Sequence, residues 1–237
     1  MEEKVRIHKY LSQAGICSRR KAEEYIERGL IKVNGEKATL GQSINPKLDK
    51  VEFLNEAVEE QKNLVYYKLN KPSGIVTTCA NLGEKTILDI IDIKERVFPI
   101  GRLDKDTTGL ILLTNDGRLA NFLMHPRYEH EKEYVVETFG PINDEQLESI
   151  ARGVYVLGKL TKEADVKRIS SGKFFITITE GRNRQIRRMV EEVGGKVKKL
   201  KRIRIENIEL GDLPIGSYKR LSKDELRNLF KILNISE

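Results

Sequence analysis

A short polar stretch divides this chain into two parts that have different patterns. Residues 55–62, NEAVEEQK, contain little that a core could bury, which is typical of a linker between domains. Short helical patterns and a hairpin precede the stretch, and short strands mixed with helices follow it. The sequence therefore predicts a small N-terminal domain over residues 1–60 and a larger domain over residues 63–237, with the boundary near Lys62.

The N-terminal part has clear helix and turn signals. Apolar residues recur at helical spacing from Ile7 to Ala14, and a second helix is expected between an N-cap at Ser18 and a stop at Gly29. The dipeptide Asn34-Gly35 then predicts a tight hairpin turn between two strands. We expect two helices followed by a small sheet.

Strands predominate in the larger part. Residues 110–113, LILL, predict a buried strand, and this longest apolar run is too short to cross a bilayer. Further strands are expected at residues 74–78, 132–139, 162–169 and 173–181. Their irregular mixture with helices favours an α+β fold, in which a mainly antiparallel mixed sheet is flanked by helices, over a regular βαβ fold.

Charge and cysteine content narrow the class of partner. The chain has 43 Lys and Arg against 36 Asp and Glu, a net charge of +7 that favours a polyanionic partner. The two cysteines lack CxxC spacing and the three histidines form no ligand pattern, so neither a disulfide nor a metal site is expected. The charged N-terminus contains no apolar signal segment. We expect a cytoplasmic protein without a membrane partner.

A single aspartate is the candidate nucleophile. Asp104, Asp106 and Asp116 each fit the common role of a loop aspartate, which is to form a cap or a turn. Asp104, however, is flanked by Arg102 and Lys105, and neighbouring cations keep a carboxylate ionised, as nucleophilic catalysis requires. Asp106 is its competitor.

A helix rich in arginine is expected at residues 180–189, EGRNRQIRRM. Three arginines fall at i, i+3 and i+4 and are expected on one solvated face: Arg184, Arg187 and Arg188. Ile186 and its apolar neighbours then face the core. Together with Arg182 at the helix entrance, this face suits contact with phosphates, and a solvated surface paired with glutamates is the alternative.

A second basic cluster lies near the N-terminus. Arg19, Arg20 and Lys21 occupy the first turn of the second predicted helix, where cations oppose the helix dipole unless an anion compensates them. Arg6 and Lys9, expected on the preceding helix, extend the cluster. RNA phosphates would compensate these charges, and a solvated helix surface is an equally simple reading.

Read in order, the motifs GICSRR, NKPSGIV, RVFPIGRLDKD, HEKEYVV, RQIRRM and VKKLKRIRI resemble the pseudouridine synthases of the RsuA/RluB/RluE/RluF family. The resemblance spans nearly the whole chain and is nearest to the RluF-like type, which acts on 23S rRNA. The first sixty residues resemble the S4-like, or αL, RNA-binding module. The implied fold is therefore an S4-like domain followed by a catalytic domain with the pseudouridine synthase fold.

The resemblance also implies residue roles. The GRLD aspartate of the family maps onto Asp104 as the nucleophile, and the tyrosine of its K-x-Y motif, which stacks on the uracil and assists proton transfer, maps onto Tyr134. The RQIR motif places Arg187 beside the aspartate and Ile186 against the target base. The substrate-binding residues expected on these grounds, together with the charge pattern, are Arg102, Lys105, Lys132, Arg182, Arg184, Gln185 and Ile186.

The implied reaction is the isomerisation of a uridine in ribosomal RNA to pseudouridine, which requires no cofactor and no metal. A base within RNA must be flipped out of its stack before these groups can reach it. The expected partner is a stem-loop uridine of 23S rRNA, free or in an assembling ribosomal subunit, and the enzyme is expected to be a monomer. The alternatives are 16S rRNA or tRNA as substrate, a non-catalytic RNA-binding assembly factor, and a hydrolase with paired carboxylates.

Overall fold

The computed structural model describes residues 4–59, 63–79 and 83–235, so Lys62, near which the boundary is predicted, lies outside the described residues. The chain divides into two compact units. The first consists of residues 1–65 with 94–96 and 115–117, and the second of residues 66–93, 97–114 and 118–237.

The first unit contains two short helices and several short strands. Its described elements are β1 (Val5–Arg6), α1 (Ile7–Gln13), α2 (Arg19–Glu27), β2 (Ile31–Val33), β3 (Glu36–Lys37), β4 (Ser43–Ile44), β5 (Val51–Phe53) and β6 (Glu56–Ala57). Strands β3, β2, β5 and β6 form one antiparallel sheet in that order, and β1 pairs with β4.

The N-terminal signals read from the sequence are confirmed. The Ser18 hydroxyl accepts a hydrogen bond from the backbone N–H of Lys21, and α2 gives way to Gly29, whose φ of 67° suits glycine. Asn34 and Gly35 both have positive φ in the β2–β3 turn. The linker prediction was wrong for residues 56 and 57, because they form β6 and pair with β5.

The second unit is built around one large mixed sheet. Its described elements are β7 (Tyr66–Lys71), β8 (Phe98–Ile100), β9 (Thr108–Thr114), α3 (Gly117–Met124), β10 (Lys132–Thr138), α4 (Asp144–Arg152), β11 (Tyr155–Val156), β12 (Lys159–Leu160), β13 (Asp165–Ser170), β14 (Lys173–Ile178), α5 (Gln185–Glu192), β15 (Val197–Ile205), β16 (Ile208–Glu209), β17 (Tyr218–Arg220) and α6 (Lys223–Leu233), with 3₁₀ turns at Ile87–Ile90 and Pro126–Tyr128.

The strand order is β13-β14-β10-β15-β9-β7-β17, with β16 on β15 and β8 on β9. Neighbouring strands are antiparallel except for β15 and β9, which are parallel. The predicted mainly antiparallel mixed sheet flanked by helices is therefore confirmed. The strand predicted at residues 74–78 was wrong, because Val76 makes only an isolated bridge to Thr86.

The apolar run in β9 is buried because the strand is central in the sheet. Residues 110 to 113 are each at most 1 % exposed; β7 pairs along one edge of the strand, and β15 and β8 pair with different parts of the other edge. Leu110 and Leu112 belong to a core that includes Leu119 of α3 and Phe230 of α6. Alternation along the strand sends Ile111 and Leu113 to the opposite face.

Two backbone features shape β15 where it meets its neighbours. The pairing of β10 with β15 shifts between Glu133 and Tyr134, so that Arg202 and Ile205, three residues apart, lie on one face. On the other edge Gly109 of β9 pairs with Arg202 and has φ of 103°. A Cβ atom at Gly109 would lie 2.1 Å from the carbonyl oxygen of Arg202, so only glycine allows this close approach.

Candidate active site

The loop that contains Asp104 is fixed by its neighbours. Leu103 and Thr107 are at most 5 % exposed. The Thr77 hydroxyl donates to the Leu103 carbonyl at 2.9 Å, and the Thr107 N–H donates to the Asp104 carbonyl at 3.0 Å. Between these two buried residues the side chain of Asp104 keeps 34 % of its surface exposed. The loop therefore holds a reachable carboxylate on a fixed backbone.

Lys71, at the end of β7, supports this loop from inside the protein. Its side chain is fully buried, and its ammonium donates to the carbonyls of Pro72, Ile75 and Lys105 at 2.9, 2.7 and 3.1 Å. Burial lowers the pKa of Lys71 to about 8, although the charge of Asp106 opposes this shift. The sequence analysis did not single out Lys71, and its position in NKPSGIV was the available signal.

Asp104 lies in the wall of a cleft of about 670 Å³, a volume typical of small-ligand sites. Two further acidic residues, Glu129 and Glu180, also line the cleft. The carboxylate of Glu180 accepts hydrogen bonds from Gln185 and Arg182, and that of Glu129 pairs with Lys162.

Of these three carboxylates, Asp104 has the weakest contacts with other side chains of the described structure. Its ion pair among the described residues is with Arg184, and the nitrogen-to-oxygen distance of 4.0 Å is too long for a hydrogen bond. A carboxylate in this state keeps its lone pairs available. Asp106, the competitor considered from the sequence, does not line the cleft.

The arginine helix differs from the predicted arrangement. Arg184 is not in the helix but precedes it as the N-cap residue, with a left-handed φ of 52°. Arg187 is only 7 % exposed, whereas Arg188 is half-buried and donates to the Asn183 carbonyl. The prediction of one solvated face carrying all three arginines was therefore wrong, because the tertiary structure places Arg187 beneath the loop that contains Asp104.

Arg187 is a buried cation with unused hydrogen-bonding capacity. Its Nη2 lies 3.5 Å from the Thr107 hydroxyl, and its Nε is buried with no hydrogen-bond partner in the part of the chain that the structure describes. Burial, followed by repulsion from Arg184, lowers its pKa, and the charges of Asp104 and Asp106 oppose this shift. Arg187 therefore acts on Asp104 through its charge, while the direct ion pair is made by Arg184.

The remaining predicted substrate-binding residues fall into two groups. Ile186 and Gln185 are each 4 % exposed and line the cleft, as does the exposed Arg102. Arg182 also lines it, but its guanidinium is already bonded to Glu180 and to two backbone carbonyls. Lys105 does not line the cleft, and its ammonium pairs with Glu84 at 3.2 Å.

The floor of the cleft is a face of the large sheet. Lys132 and Tyr134, two residues apart on β10, lie on it together with Arg202 and Ile205 of β15. Tyr134 is 8 % exposed, and its ring centre is 6.0 Å from the guanidinium carbon of Arg202. Sequence analysis did not single out Arg202, because the bulge that turns it into the cleft has no signal in the sequence.

The basic residues of the first unit have mixed surroundings. Arg20 is exposed, while Arg19 contacts the His8 ring at 3.0 Å and Lys21 pairs with Glu24. Arg6 is not on the helix, as the sequence suggested, but in β1, where its guanidinium donates to the Gly41 carbonyl. Lys9 is on α1 and exposed. The roles predicted for these residues stay predictions.

The described residues contain neither a metal-ligand cluster nor a membrane-spanning helix. Over residues 4–59, 63–79 and 83–235 there is no cluster of three or more His, Cys, Asp or Glu side chains that would suit a metal ion. Within the same ranges no helix has the length and apolar content needed to cross a membrane.

Comparison with known proteins identifies the family. The family model described as RNA pseudouridylate synthase matches residues 65–192, which is more than half of the chain, and the S4 domain model matches residues 5–48. The chain belongs to the RNA pseudouridine synthase family. It is 46 % identical to the dual-specificity RNA pseudouridine synthase RluF of Escherichia coli O6:H1 over 237 residues, which cover 99 % of this chain and 81 % of that protein.

Further members of the family agree with this assignment. The chain is 41 % identical to ribosomal large subunit pseudouridine synthase B of Bacillus subtilis, with 94 % of this chain and 95 % of that protein covered. A crystal structure of a pseudouridylate synthase matches with a TM-score of 0.71 and 31 % identity, covering 95 % of this chain and 99 % of that one. The recognition from the sequence motifs and the two-part fold that it implied are both confirmed.

Proposed function

We propose that this protein isomerises a uridine of ribosomal RNA to pseudouridine and that Asp104 is its nucleophile. The observation that supports this most directly is the state of Asp104. Among the three carboxylates in the wall of the cleft it is the one without a hydrogen-bond partner in the described structure, and it faces the same cavity as Tyr134. The volume of the cleft is sufficient for one flipped-out nucleotide.

The chemistry conserves every atom of the RNA. On one route the Asp104 carboxylate bonds to ribose C1′, and the electron pair of the C1′–N1 bond leaves with the uracil. After the base turns, its C5 bonds to C1′, the C1′–O pair returns to Asp104, C5 loses a proton and N1 gains one. The other route starts with addition of Asp104 to C6 of the base, and the structure is compatible with both.

The neighbouring residues have complementary roles in this proposal. Tyr134 provides the aromatic surface on which the uracil stacks, and its hydroxyl assists proton transfer. Ile186, which also lines the cleft, packs against the base. Arg187 attracts the Asp104 carboxylate through its buried charge, and Arg184 orients the carboxylate directly through its ion pair.

The basic residues provide the phosphate contacts that offset the cost of base flipping, which is a few kcal/mol. We assign this role to Arg102, which is exposed at the cleft and makes no hydrogen bond or ion pair with a described residue, and to Arg184. Arg182 joins them only if RNA displaces its bonds to the Lys159 and Leu160 carbonyls. Lys105, outside the cleft, is placed to meet RNA beyond the target nucleotide.

The proposed substrate is a stem-loop uridine of 23S rRNA, free or within an assembling subunit. The similarity to RluF and to a large-subunit synthase supports this choice, whereas 16S rRNA and tRNA are the alternatives for the test below. Residues 1–60 form the S4-like RNA-binding domain in this proposal, with the exposed Lys9 and Arg20 as candidate contacts, and residues 63–237 form the catalytic domain. We place the enzyme, as a monomer, in the cytoplasm, where its RNA substrate is made.

The test is the release of tritium from 5-tritiated uridine in 23S rRNA that lacks pseudouridine. Wild-type protein should release tritium and leave a pseudouridine at one mapped site, and Asp104→Asn should release none while still binding RNA. Asp106→Asn is the matched control. It removes the same charge from a residue two positions away from Asp104, and the Asp106 side chain does not line the cleft.

Each outcome has a distinct meaning. If Asp106→Asn is inactive and Asp104→Asn is active, the nucleophile has been assigned wrongly. If the wild type binds tightly but releases no tritium from 23S rRNA, 16S rRNA, tRNA or partly assembled subunits, the protein acts as an RNA-binding assembly factor. Release of free uracil would indicate a hydrolase.

A further inference from the structure

The floor of the cleft contains a buried cation whose donors the protein does not satisfy. Arg202 is 3 % exposed, its Nε donates to the Leu110 carbonyl at 2.7 Å, and its Nη2 is buried without a hydrogen-bond partner among the described residues. Leaving a buried N–H unpaired is unfavourable, and a guanidinium with an anchored Nε has its remaining donors fixed in direction. Since Arg202 lines the cleft, the arrangement points to an acceptor that arrives with the ligand.

A second cation lies on the same face. Lys132 donates to the His130 carbonyl at 2.8 Å, and burial, followed by repulsion from Arg202, lowers its pKa. Tyr134, on whose ring we propose that the uracil stacks, is two residues from Lys132 on β10 and pairs directly with Arg202 on β15. Two cations that repel each other beside this ring form a site that an anion, or an oxygen gaining negative charge, would stabilise.

The proposed reaction generates such oxygens. When the C1′–N1 bond breaks, its electron pair stays on the uracil and is delocalised from N1 onto the O2 and O4 carbonyl oxygens. If Asp104 instead adds to C6, the electron pair of the C5–C6 double bond moves through C4 onto O4. On either route a carbonyl oxygen of the base carries more negative charge in the transition state than in bound uridine, and fixed donors aimed at such an oxygen accelerate the reaction.

We propose that Arg202, supported by Lys132, donates hydrogen bonds to a carbonyl oxygen of the target uracil and stabilises the negative charge that develops there. This role rests on the proposed function and assigns a further catalytic residue to the same site. It differs from a phosphate contact, because a phosphate carries the same charge throughout the reaction and its ligands contribute to binding alone.

The test compares two RNA substrates under single-turnover conditions with saturating enzyme, one with uridine and one with 5-fluorouridine at the mapped site. Fluorine withdraws electrons and stabilises the uracil anion without help from the protein. In 5-fluorouridine C5 carries fluorine and has no proton to lose, so proton release cannot be followed. The readout for both substrates is therefore the consumption of the target nucleotide, measured by mass spectrometry after digestion. The variants are Arg202→Met, which removes the charge, and Arg202→Lys, which keeps it.

We expect Arg202→Met to slow the uridine reaction by about 100-fold, as removal of one such donor does in other enzymes, with little change in the Kd for RNA. The loss should be smaller with 5-fluorouridine, and Arg202→Lys should recover part of the rate. Arg204→Met is the matched control. It removes an arginine two residues along β15 that pairs with Glu133 and does not line the cleft, and it should leave the rate within a few-fold of wild type.

Three results would overturn the proposal. An equal loss on both substrates would assign Arg202 a structural role, a loss confined to Kd would make it a phosphate contact, and no loss in a folded variant would remove it from catalysis. If Arg202→Met does not fold, Arg202→Lys and Lys132→Met carry the same comparison. Failure of the wild type to consume uridine in any RNA would instead contradict the proposed function.

Discussion

Replacement of Gly109 by alanine tests how closely β9 and β15 must approach to build the site. The added Cβ would lie 2.1 Å from the carbonyl oxygen of Arg202 and 2.8 Å from its backbone nitrogen, so strand backbone would have to move. The same movement would separate the Arg202 Nε from the Leu110 carbonyl, which it contacts at 2.7 Å. Gly109→Ala therefore perturbs both the core sheet and the floor of the cleft.

Three contributions set the magnitude. Overpacking a core costs about 1–3 kcal/mol, and a non-glycine residue at φ of 103° costs about 1–3 kcal/mol more. Loss of the hydrogen bond from the charged Arg202 adds about 1.5–3 kcal/mol. Because relaxation reduces such totals, we expect about 3–6 kcal/mol, a large part of the 5–15 kcal/mol by which folded proteins are typically stable.

The assay is differential scanning calorimetry, because the chain contains no tryptophan to report unfolding by fluorescence. At about 2–4 °C per kcal/mol for chains of this size, the melting transition of the second unit should fall by about 6–24 °C. Gly117→Ala is the control, since a Cβ there meets nothing within 4 Å, and it should stay within about 1 kcal/mol of wild type. Equal melting temperatures for the two variants would refute the reasoning.

Two further predictions concern buried charges. Burial lowers the pKa of Lys71 to about 8, whereas lysine in the unfolded chain has a pKa of 10.5, so the unfolded chain binds more protons between these two pH values. The free energy of unfolding of the wild type, relative to that of Lys71→Met, should therefore rise by about 3 kcal/mol from pH 8 to pH 10.5. Urea titrations that gave the same difference between the two proteins at both pH values would contradict this. For Glu225, burial raises the pKa, but hydrogen bonds to Lys68 and Ser222 outweigh burial and hold it below the ordinary 4.5. The stability that this carboxylate contributes is thus present above pH 4.5 and is lost as the pH falls through the pKa of the folded state. Glu225→Gln should therefore be less stable than the wild type by about 1 kcal/mol at pH 7. Thermal melts should show that this difference in stability is smaller at pH 3 than at pH 7.

The sequence was most informative where structure depends on near neighbours. The N-cap at Ser18, the turn at Asn34-Gly35 and the buried strand at 110–113 were all predicted correctly, because capping, positive φ and a continuous apolar run are local properties. The same reasoning missed β17, whose three residues form a strand only because β7 offers them an edge. It also predicted a strand at 74–78 that lacks a continuous partner.

The candidate active site also combines features that the sequence predicts with features that depend on tertiary contacts. The sequence by itself determined the family, the two-part fold and the candidate carboxylate at Asp104, since these depend on motifs that lie within short segments. Tertiary structure alone decided that Arg187 is buried beneath the loop, that the Lys71 ammonium is enclosed by carbonyls, and that Arg202 faces the cleft. Periodicity assigns a charged residue to the solvent by default. Contacts between segments far apart in the chain supply acceptors that make the burial of these cations possible, such as the Lys105 carbonyl for Lys71 and the Leu110 carbonyl for Arg202.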